Sequence, residues 1–465
     1  MAFLIVLAAL VFLMYAAYRG HSVILFAPIA ALGAVLLTEP ALVAPMFTGL
    51  FMERMVGFLK LYFPVFLLGA VFGKLIEISG FSKSIVAATI GLVGRSRAML
   101  SIVLVCALLT YGGVSLFVVV FAVYPFAAEL FRQSDIPKRL IPGTIALGAF
   151  TFTMDALPGT PQIQNVIPTT FFQTTTWAAP WLGSIGAVFV FVLGMAYLEW
   201  RRRVAAARGE GYGSGHGNEP EAFTGTRMAP AALAIAPLVV VGVVNFVLTR
   251  NIPRWYGTST SFVPSVVGQA APVVQDTGKL VAIWAVEGAL LAGIACVLLF
   301  AWRPVTAAFA QGTRTAVGGA LLASMNTASE YGFGAVIAAL PGFLVVADAL
   351  RSIPHPLVNE AVTVTALAGI TGSASGGMSI ALAAMAESFA HAAAIAGIPP
   401  EVLHRVAAMA SGGMDTLPHN GAVITLLAVT GLSHRQSYRD IFAITLVKTL
   451  AVFFVILVYG ITGLV

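Results

Sequence analysis

Long apolar stretches recur along the whole chain, and most of them approach the length that crosses a bilayer. The N-terminal stretch MAFLIVLAALVFLMYAAY and the C-terminal stretch IFAITLVKTLAVFFVILVYGITGL are two of them. A membrane-spanning helix needs about 20 predominantly apolar residues. Of the 465 residues, 59% are hydrophobic and only 9% are charged, whereas a soluble domain carries about 25% charged residues. The sequence therefore predicts an all-α polytopic membrane protein and excludes a soluble globular one.

One polar segment, residues 201–227, divides the chain into two halves. Its sequence, RRRVAAARGEGYGSGHGNEPEAFTGTR, is rich in glycine and charge and has no apolar periodicity, which is typical of a loop. We predict a first repeat over residues 1–200, a cytoplasmic linker over 201–228, and a second repeat over 229–465.

Four short motifs recur in the same order in the two halves. FGKLIEISGF at 72–81 matches FGAVIAALPGF at 333–343, YGGVS at 111–115 matches SGGMS at 375–379, DIPKRL at 135–140 matches GIPPEVL at 397–403, and MDALP at 154–158 matches MDTLP at 414–418. Each match is weak alone, because glycine, serine and proline are common in membrane helices. Their shared order, with offsets between 260 and 264 residues, indicates an internal duplication.

Each half is predicted to contain five membrane-crossing helices and one re-entrant hairpin. The first half has helices 1–18, 22–38, 61–79, 138–158 and 178–200, with a hairpin at 98–130. The second half has helices 229–249, 280–301, 316–340, 402–430 and 441–464, with a hairpin at 358–396. The fourth helix of each half is predicted to be broken at the membrane midplane. Because an odd number of crossings turns the following repeat over, the two repeats are expected to have inverted topology.

The distribution of arginine and lysine supports this topology. With the linker in the cytoplasm, sixteen of the 25 basic residues fall in cytoplasmic segments and seven, Arg405 among them, in outer segments. Only Lys74 and Lys448 fall within predicted spans. We therefore predict ten crossings in a bacterial cytoplasmic membrane, with both termini on the periplasmic side.

The two helix breaks, DALPGTP at 155–161 and DTLPHN at 415–420, point most directly to function. Lipid cannot satisfy the backbone groups that a break exposes, so a break must lie inside protein or beside a water-filled cavity. Inverted repeats with broken helices are typical of secondary transporters, whose half-helix N-termini bind anions. Glycine and proline could also serve only close packing or kinks. The pairing of four motifs favours a binding site.

Two aspartates, Asp155 and Asp415, begin these breaks. An ionisable group at membrane depth costs about 2.5–3.5 kcal/mol, so it indicates a functional role. We expect the pair to couple transport to protons, with Asp415 favoured because His419 lies close by. The alternative is that each aspartate only caps a half-helix. Weaker candidates for the same role are Glu330 and Glu387.

Four segments of the chain resemble GntP-type permeases, the gluconate:proton symporter family of the ion transporter superfamily: LTYGGVSLFVVVFAVYPFA, TMDALPGTPQIQN, SASGGMSIAL and GGMDTLPHNGAVI. The resemblance covers essentially the whole chain. It implies proton-coupled uptake of a small organic acid, bound between two hairpin tips and two unwound helices. Carried onto this sequence, it implies these substrate-binding residues: Gly112, Gly113, Ser115, Gly159, Thr160, Asn165, Ser375, Gly376, Gly377, Ser379, Thr416, His419 and Asn420.

The first break departs from that family. Typical gluconate permeases have a histidine- and proline-rich run where this chain has DALPGTP. The second arm of the first hairpin, LFVVVFAVYPF, is also apolar just past its tip. A shorter acid such as 3-hydroxybutyrate is therefore at least as good a candidate substrate as gluconate.

Other function classes are less well supported. The predicted spans contain neither HExxH nor GxSxG, so the chain is not expected to be an enzyme, and no catalytic residue, metal or cofactor is assigned. A channel and an uncoupled or sodium-coupled carrier remain alternatives. The expected partners are a small carboxylate, protons and the lipid bilayer, with no nucleic acid. A homodimer is left open.

The predicted orientation can be tested by cysteine accessibility. A cysteine placed in the 201–227 linker should resist a membrane-impermeant thiol reagent in intact cells and react after the cells are opened. Reaction of that cysteine from outside intact cells would overturn the orientation.

Overall fold

The computed structural model describes residues 2–19, 21–94, 97–216, 218–220, 229–263, 272–343, 345, 353–418 and 420–465. The helices of the first half are α1 (Ala2–Tyr18), α2 (Val23–Thr38), α3 (Val43–Met46), α4 (Glu53–Ile78), α5 (Phe81–Val93), α6 (Ala98–Tyr111), α7 (Leu116–Gln133), α8 (Ile141–Ala149), α9 (Phe152–Asp155), α10 (Ile163–Phe172) and α11 (Pro180–Ala207). The helices described in the second half are α12 (Ala231–Tyr256), α13 (Thr277–Phe300), α14 (Trp302–Ala339), α15 (Pro356–Thr371), α16 (Ala374–Ile395), α17 (Pro400–Ser411), α18 (Gly421–Thr430) and α19 (His434–Thr462). Strands β1 (Ser259–Phe262) and β2 (Val273–Asp276) pair antiparallel between α12 and α13.

Six helical segments are long and apolar enough to cross a membrane. They are Pro40–Ile78, Pro180–Ala207, Ala231–Tyr256, Thr277–Phe300, Ala374–Ile395 and His434–Thr462. The apolar helices α1 and α2 fall just short, with 17 and 16 residues. The prediction of an all-α polytopic membrane protein is confirmed.

The order of elements in the first half recurs in the second. Helices α1, α2 and α4 correspond to α12, α13 and α14, and the helix pair α6–α7 corresponds to α15–α16. The interrupted helix α8–α10 corresponds to α17–α18, and α11 corresponds to α19. Matching elements of the two halves also pack together, because α4 contacts α14 and α11 contacts α19. The inverted orientation of the repeats stays a prediction.

Several element boundaries differ from those predicted. The third helical segment begins at Pro40 rather than at 61, through a 3-10 turn and the π-helical turn Phe47–Met52. The 13-residue helix α5 was not predicted, and at about 1.5 Å per residue it is too short to span a bilayer. The second hairpin arm, α16, has 22 residues and is long enough to cross by itself.

The broken helix of the first half is also longer than predicted. It does not end at 158, since α10 continues it from Ile163 to Phe172 after the break. Helix α11 likewise runs past residue 200 to Ala207, so the first seven residues of the expected linker are helical.

The start of the linker is bound to both halves by charged side chains. Arg139 forms a bidentate pair with Glu210, at 2.6 and 2.7 Å, and its Nη1 lies 3.4 Å from Asp440 Oδ2. Asp440 is buried in α19 and also accepts a 2.6 Å hydrogen bond from Arg201 Nε on α11. The hydrogen-bonded Arg139 guanidinium lowers the pKa of the Glu210 carboxyl. This pairing is therefore complete at neutral pH and is lost only as the pH falls through that lowered pKa.

Close helix packing in the second hairpin depends on one glycine. A methyl group at Gly377 on α16 would overlap the backbone of Ala368 on α15. Gly377→Ala should therefore separate the arms and destabilise the protein by about 1–3 kcal/mol, the usual cost of overpacking. The matched control is Gly421→Ala on α18, where a methyl group would have nothing within 4 Å. Thermal unfolding in detergent measures both. Equal midpoints for the two variants would contradict the packing described here.

Candidate functional site

The first helix break is a loop between two short helices. Helix α9 ends at Asp155, and the chain stays non-helical until Gln162, the N-cap of α10. Pro158 and Pro161 cannot donate the backbone hydrogen bonds of a helix. Gly159 has φ +78°, and a Cβ there would lie 2.5 Å from the Trp177 ring, so only glycine fits.

The second break has the same design. Helix α17 ends at Ser411, and α18 begins after its N-cap, Asn420. The Asn420 side chain accepts a 2.9 Å hydrogen bond from Val423 N, which satisfies one free donor at the helix start.

Each break is attached to the hairpin tip of its own half through an N-cap amide. Gln162 Nε2 donates to Thr110 O at 2.7 Å, at the end of α6. Asn420 Nδ2 donates to Gly372 O at 2.7 Å, between α15 and α16. Tyr111 adds a 2.9 Å hydrogen bond to Pro158 O at the first break. Each hairpin tip therefore lies beside the break of its own half, and a site shared by both tips and both breaks stays a prediction.

The two breaks also touch each other. Asp155 Oδ2 lies against Gly412, so closely that a methyl group on Gly412 would overlap it. Arg405 donates to the backbone carbonyl of Asp155, and Lys448 pairs with Asp415 three positions beyond Gly412. The two aspartates and the two cations therefore form one charge cluster where the breaks meet.

Lys448, in the middle of α19, joins the breaks directly. Its Nζ lies 2.5 Å from Asp415 Oδ1 and donates a 3.0 Å hydrogen bond to Phe150 O, where α8 ends. The Lys448 side chain is 3% exposed and the Asp415 side chain 13% exposed, so the ion pair is largely shielded from solvent. The neighbouring Thr449 donates a 2.7 Å hydrogen bond to Gly413 O in the second break.

Arg405, on α17, binds the backbone carbonyl of Asp155, where the first break begins. Its Nη1 donates to Asp155 O at 2.9 Å and to Asn165 Oδ1 at 3.0 Å, and its Nη2 donates to Ala178 O at 2.7 Å. The side chain is fully buried. The assignment of Arg405 to an outer segment was wrong, because the helix that carries it enters the interior next to the first break.

Asn165 has a supporting position. Its Nδ2 donates to Thr160 O and Thr176 O, at 3.0 and 2.8 Å. Its Oδ1 bonds Arg405 and, at 3.1 Å, His404 Nε2. Since both ends of the amide are occupied, Asn165 orients the loop and Arg405 rather than offering free groups to a ligand.

Several other predicted site residues serve backbone packing. Gly112 and Gly113 end α6, where a methyl group at Gly112 would lie 2.5 Å from Leu238 and one at Gly113 would lie 3.1 Å from Pro161. Ser115 is the N-cap residue of α7. Gly113 brings the first hairpin tip close to the first break, and Gly112 lets it pack against α12.

The remaining predicted residues divide between two places. Thr416, in the second break, is hydrogen-bonded through Oγ1 to Thr445 Oγ1 on α19 at 2.5 Å. Ser375 Oγ lies 3.2 Å from Thr327 Oγ1, between α16 and α14, and Gly376 and Ser379 are buried on the same helix, α16. Gly377 packs between the hairpin arms, as described above, and His419 lies outside the described residues.

Buried polar atoms without a hydrogen-bond partner are concentrated near the first break. Of eleven such atoms among the described residues, five lie in this region: Thr110 Oγ1, Thr160 Oγ1, Gln164 Oε1, Trp177 Nε1 and Arg405 Nε. Buried polar groups are normally paired, so unpaired ones need a partner such as water or a ligand. Four of these five atoms can donate a hydrogen bond, which suits an oxygen-rich ligand.

Two of the most telling residues, Arg405 and Lys448, were absent from the predicted site. Each interrupts an apolar run, VLHRVAAMA and AITLVKTLAVFF, and a charge within such a run needs a buried partner. That pattern could have marked them as candidates, although it does not name the partner.

Two surface grooves lie away from the helix breaks. An apolar groove of about 430 Å³ lies between α11 and α19 and is lined by Trp181, Val188, Phe454 and their neighbours. A second one lies beside the linker. In the described part of the chain, no group of three His, Cys, Asp or Glu side chains is placed to hold a metal ion.

Comparison with known proteins identifies the general activity. The chain is 61% identical over 474 residues to the uncharacterized transporter YxjC of Bacillus subtilis (strain 168), with all of both chains covered. The chain belongs to the transporter family of YxjC. No family model matches it. It is also similar to the solved structure of the Alcanivorax borkumensis YdaH transporter, at 16% identity and a TM-score of 0.49, with 92% of this chain and 90% of that chain covered.

This relationship confirms two predictions. The YxjC-like chain is a multi-pass membrane transporter, and it is not an enzyme. The relationship supports a transporter in general and is not specific to GntP-type permeases.

The Lys448–Asp415 pair gives a stability test. Lys448→Met leaves a buried carboxylate without its cation, which should cost about 3–5 kcal/mol of unfolding free energy. Lys74→Met is the control, because its pair with Glu77, at 2.8 Å, is partly exposed and should contribute less than about 1 kcal/mol. Thermal unfolding compares them, and adding Asp415→Asn to Lys448→Met should restore part of the loss. No difference between Lys448→Met and Lys74→Met would show that the buried pair is unimportant.

Proposed function

We propose that this protein takes up a small hydroxylated carboxylate together with a proton across the bacterial cytoplasmic membrane. The observation that carries the proposal is the formal charge of the cluster where the two breaks meet. Two carboxylates, Asp155 and Asp415, face two cations, Lys448 and Arg405, so the cluster is neutral when all four are ionised.

A neutral cluster gives an anion no net attraction. An anionic substrate that enters it leaves one uncompensated negative charge in a buried region, which is energetically unfavourable. If one aspartate accepts a proton first, the cluster has a charge of +1 and the substrate anion restores neutrality. Binding of anion and proton is then mutually dependent, which is the requirement for symport.

Of the two aspartates, Asp155 is the better proton carrier. Asp415 is held as an anion by Lys448 at 2.5 Å. Within the described residues, Asp155 has no ion-pair partner, and its carboxylate lies against Gly412 in the other break. Protonation of Asp155 therefore breaks no salt bridge. This assignment replaces the preference for Asp415 that came from the sequence.

The unpaired polar atoms of the first break support a hydroxylated acid as the substrate. Thr160, Trp177 and Arg405 each have a donor without a partner, and Gln164 has a free acceptor. Several hydroxyl or carboxyl oxygens would satisfy these groups, whereas a purely apolar ligand would leave them unpaired. We use 3-hydroxybutyrate and gluconate as probes of this class.

The test is uptake in proteoliposomes, with the two labelled acids as probes. An inward proton gradient should drive accumulation of at least one acid, and an inward sodium gradient alone should not. Asp155→Asn should abolish accumulation yet retain exchange, because asparagine resembles the neutral acid. Asp415→Asn should impair both, since it leaves Lys448 without its anion.

Three outcomes would contradict the proposal. Accumulation by Asp155→Asn at the wild-type level would show that coupling lies elsewhere. Accumulation driven by sodium alone would indicate a sodium-coupled carrier. Uptake without saturation would indicate a channel.

A further inference from the structure

A buried carboxylate that does not belong to the charge cluster lies at the tip of the second hairpin. Glu330 belongs to the long helix α14, which packs against the hairpin helix α16. Its carboxylate rests on Gly376, in the first turn of α16, so closely that a methyl group there would overlap Oε2. A larger residue at this position would force the Glu330 carboxylate to move.

The surroundings of this carboxylate are polar but uncharged. Glu330 is 3% exposed, and its Oε2 is buried without a hydrogen-bond partner. Thr327 Oγ1 lies 3.2 Å from Ser375 Oγ, one helical turn from Glu330 on α14. The hydroxyl of Ser379, one turn further along α16, is likewise buried and unpaired. An acid in this place has hydroxyl neighbours on the hairpin.

The helices packed on α14 supply no counter-charge to it. Helix α2 and the turn Phe47–Met52 contain no titratable side chain. The titratable residues on the other packed helices are Glu53, Arg54, Lys60, Tyr62, Lys74 and Glu77 on α4, Lys279, Glu287 and Cys296 on α13, and Glu387 and His391 on α16. The titratable residues elsewhere on α14 itself are Arg303, Arg314 and Tyr331. Among these described residues, none forms an ion pair with Glu330 or acts on its charge.

The first repeat lacks this acid. The motif matched between the halves aligns Phe72 with Phe333, so Gly69 stands where the second repeat has Glu330. Gly69 has nothing within 4 Å of its would-be methyl group. The second half therefore has this carboxylate and the first half does not.

We propose that Glu330 is a second proton-binding site and that its protonation keeps the tip of the second hairpin docked on α14. A neutral carboxylic acid fits a buried place without a counter-charge, whereas an ionised one is strongly disfavoured there. Loss of the proton leaves a charge that must reach water, so the α14–α16 contact opens. In the docked state the proton is bound to the Glu330 carboxyl group. This inference goes beyond the proposed function and does not depend on Asp155.

The experiment uses purified full-length protein without substrate. Infrared difference spectra between about pH 5 and pH 9 report the carbonyl band of each protonated carboxyl group that titrates. The wild type should lose one such band between the low and the high pH, and Glu330→Gln should lack that band at both. The control Glu387→Gln, which alters an exposed acid on α16, should behave like the wild type. The Asp155→Asn, Asp415→Asn double variant should keep that band. Failure of the proposed function would therefore not remove it.

Hairpin docking is read out in parallel. Ser375→Cys at the tip should react slowly with a thiol reagent at low pH and faster at high pH. In a Glu330→Gln background the rate should rise only as far as ionisation of the thiol itself requires, because the amide cannot ionise. The same pH dependence in Glu330→Gln and in Glu387→Gln, or an unchanged infrared spectrum in Glu330→Gln, would overturn the proposal.

A second variant covers the case in which Glu330→Gln does not fold. Gly376→Ala keeps Glu330 but displaces its carboxylate from the present position. The Glu330 band should then shift in its pH midpoint, and the Ser375→Cys labelling should become fast at all pH values. A midpoint and a labelling profile identical to those of the wild type would also overturn the proposal.

Discussion

The open carbonyl groups at the end of the first interrupted helix are the constraint on which the interior of this transporter depends. Neither lipid nor a continuing helix can satisfy them. Two cations from the second half contribute: Lys448 donates to Phe150 O, and Arg405 donates to Asp155 O. The carbonyl end of a helix carries partial negative charge and favours cations. The second half of the chain therefore supplies two of the groups that stabilise the first break.

Those cations in turn require anions. A lysine and an arginine buried in protein are costly unless they are paired, and Asp415 and Asp155 are the available carboxylates. The four side chains are together neutral when all of them are ionised, and the proposed coupling to protons rests on that balance.

The two halves share a scaffold but have diverged at a few positions. The carbonyls of the second break are satisfied by neutral hydroxyls, since Thr449 donates to Gly413 O and Tyr438 donates to Thr416 O at 3.2 Å. The first break uses a hydroxyl and a cation, since Tyr111 donates to Pro158 O and Arg405 donates to Asp155 O. Glu330 is found only in the second half, and the matching position of the first half is Gly69. The two halves therefore have matched breaks and hairpins but different charged groups beside them.

The sequence by itself determined the membrane class, the duplication and the places where helices break, because apolar length, repeated motifs and the local effect of proline and glycine are all visible in the chain. It did not reveal that residues 163–172 continue the broken helix, since Pro168 and the polar residues weaken the helical pattern and burial against α17 stabilises it. Nor did it place Arg405 and Lys448 at the first break. Their partners, Asp155 and Phe150, lie 250 and 298 positions away along the chain. Only the tertiary structure decides which distant carbonyl or carboxylate meets a buried cation, because that choice depends on how whole helices pack and not on any local pattern.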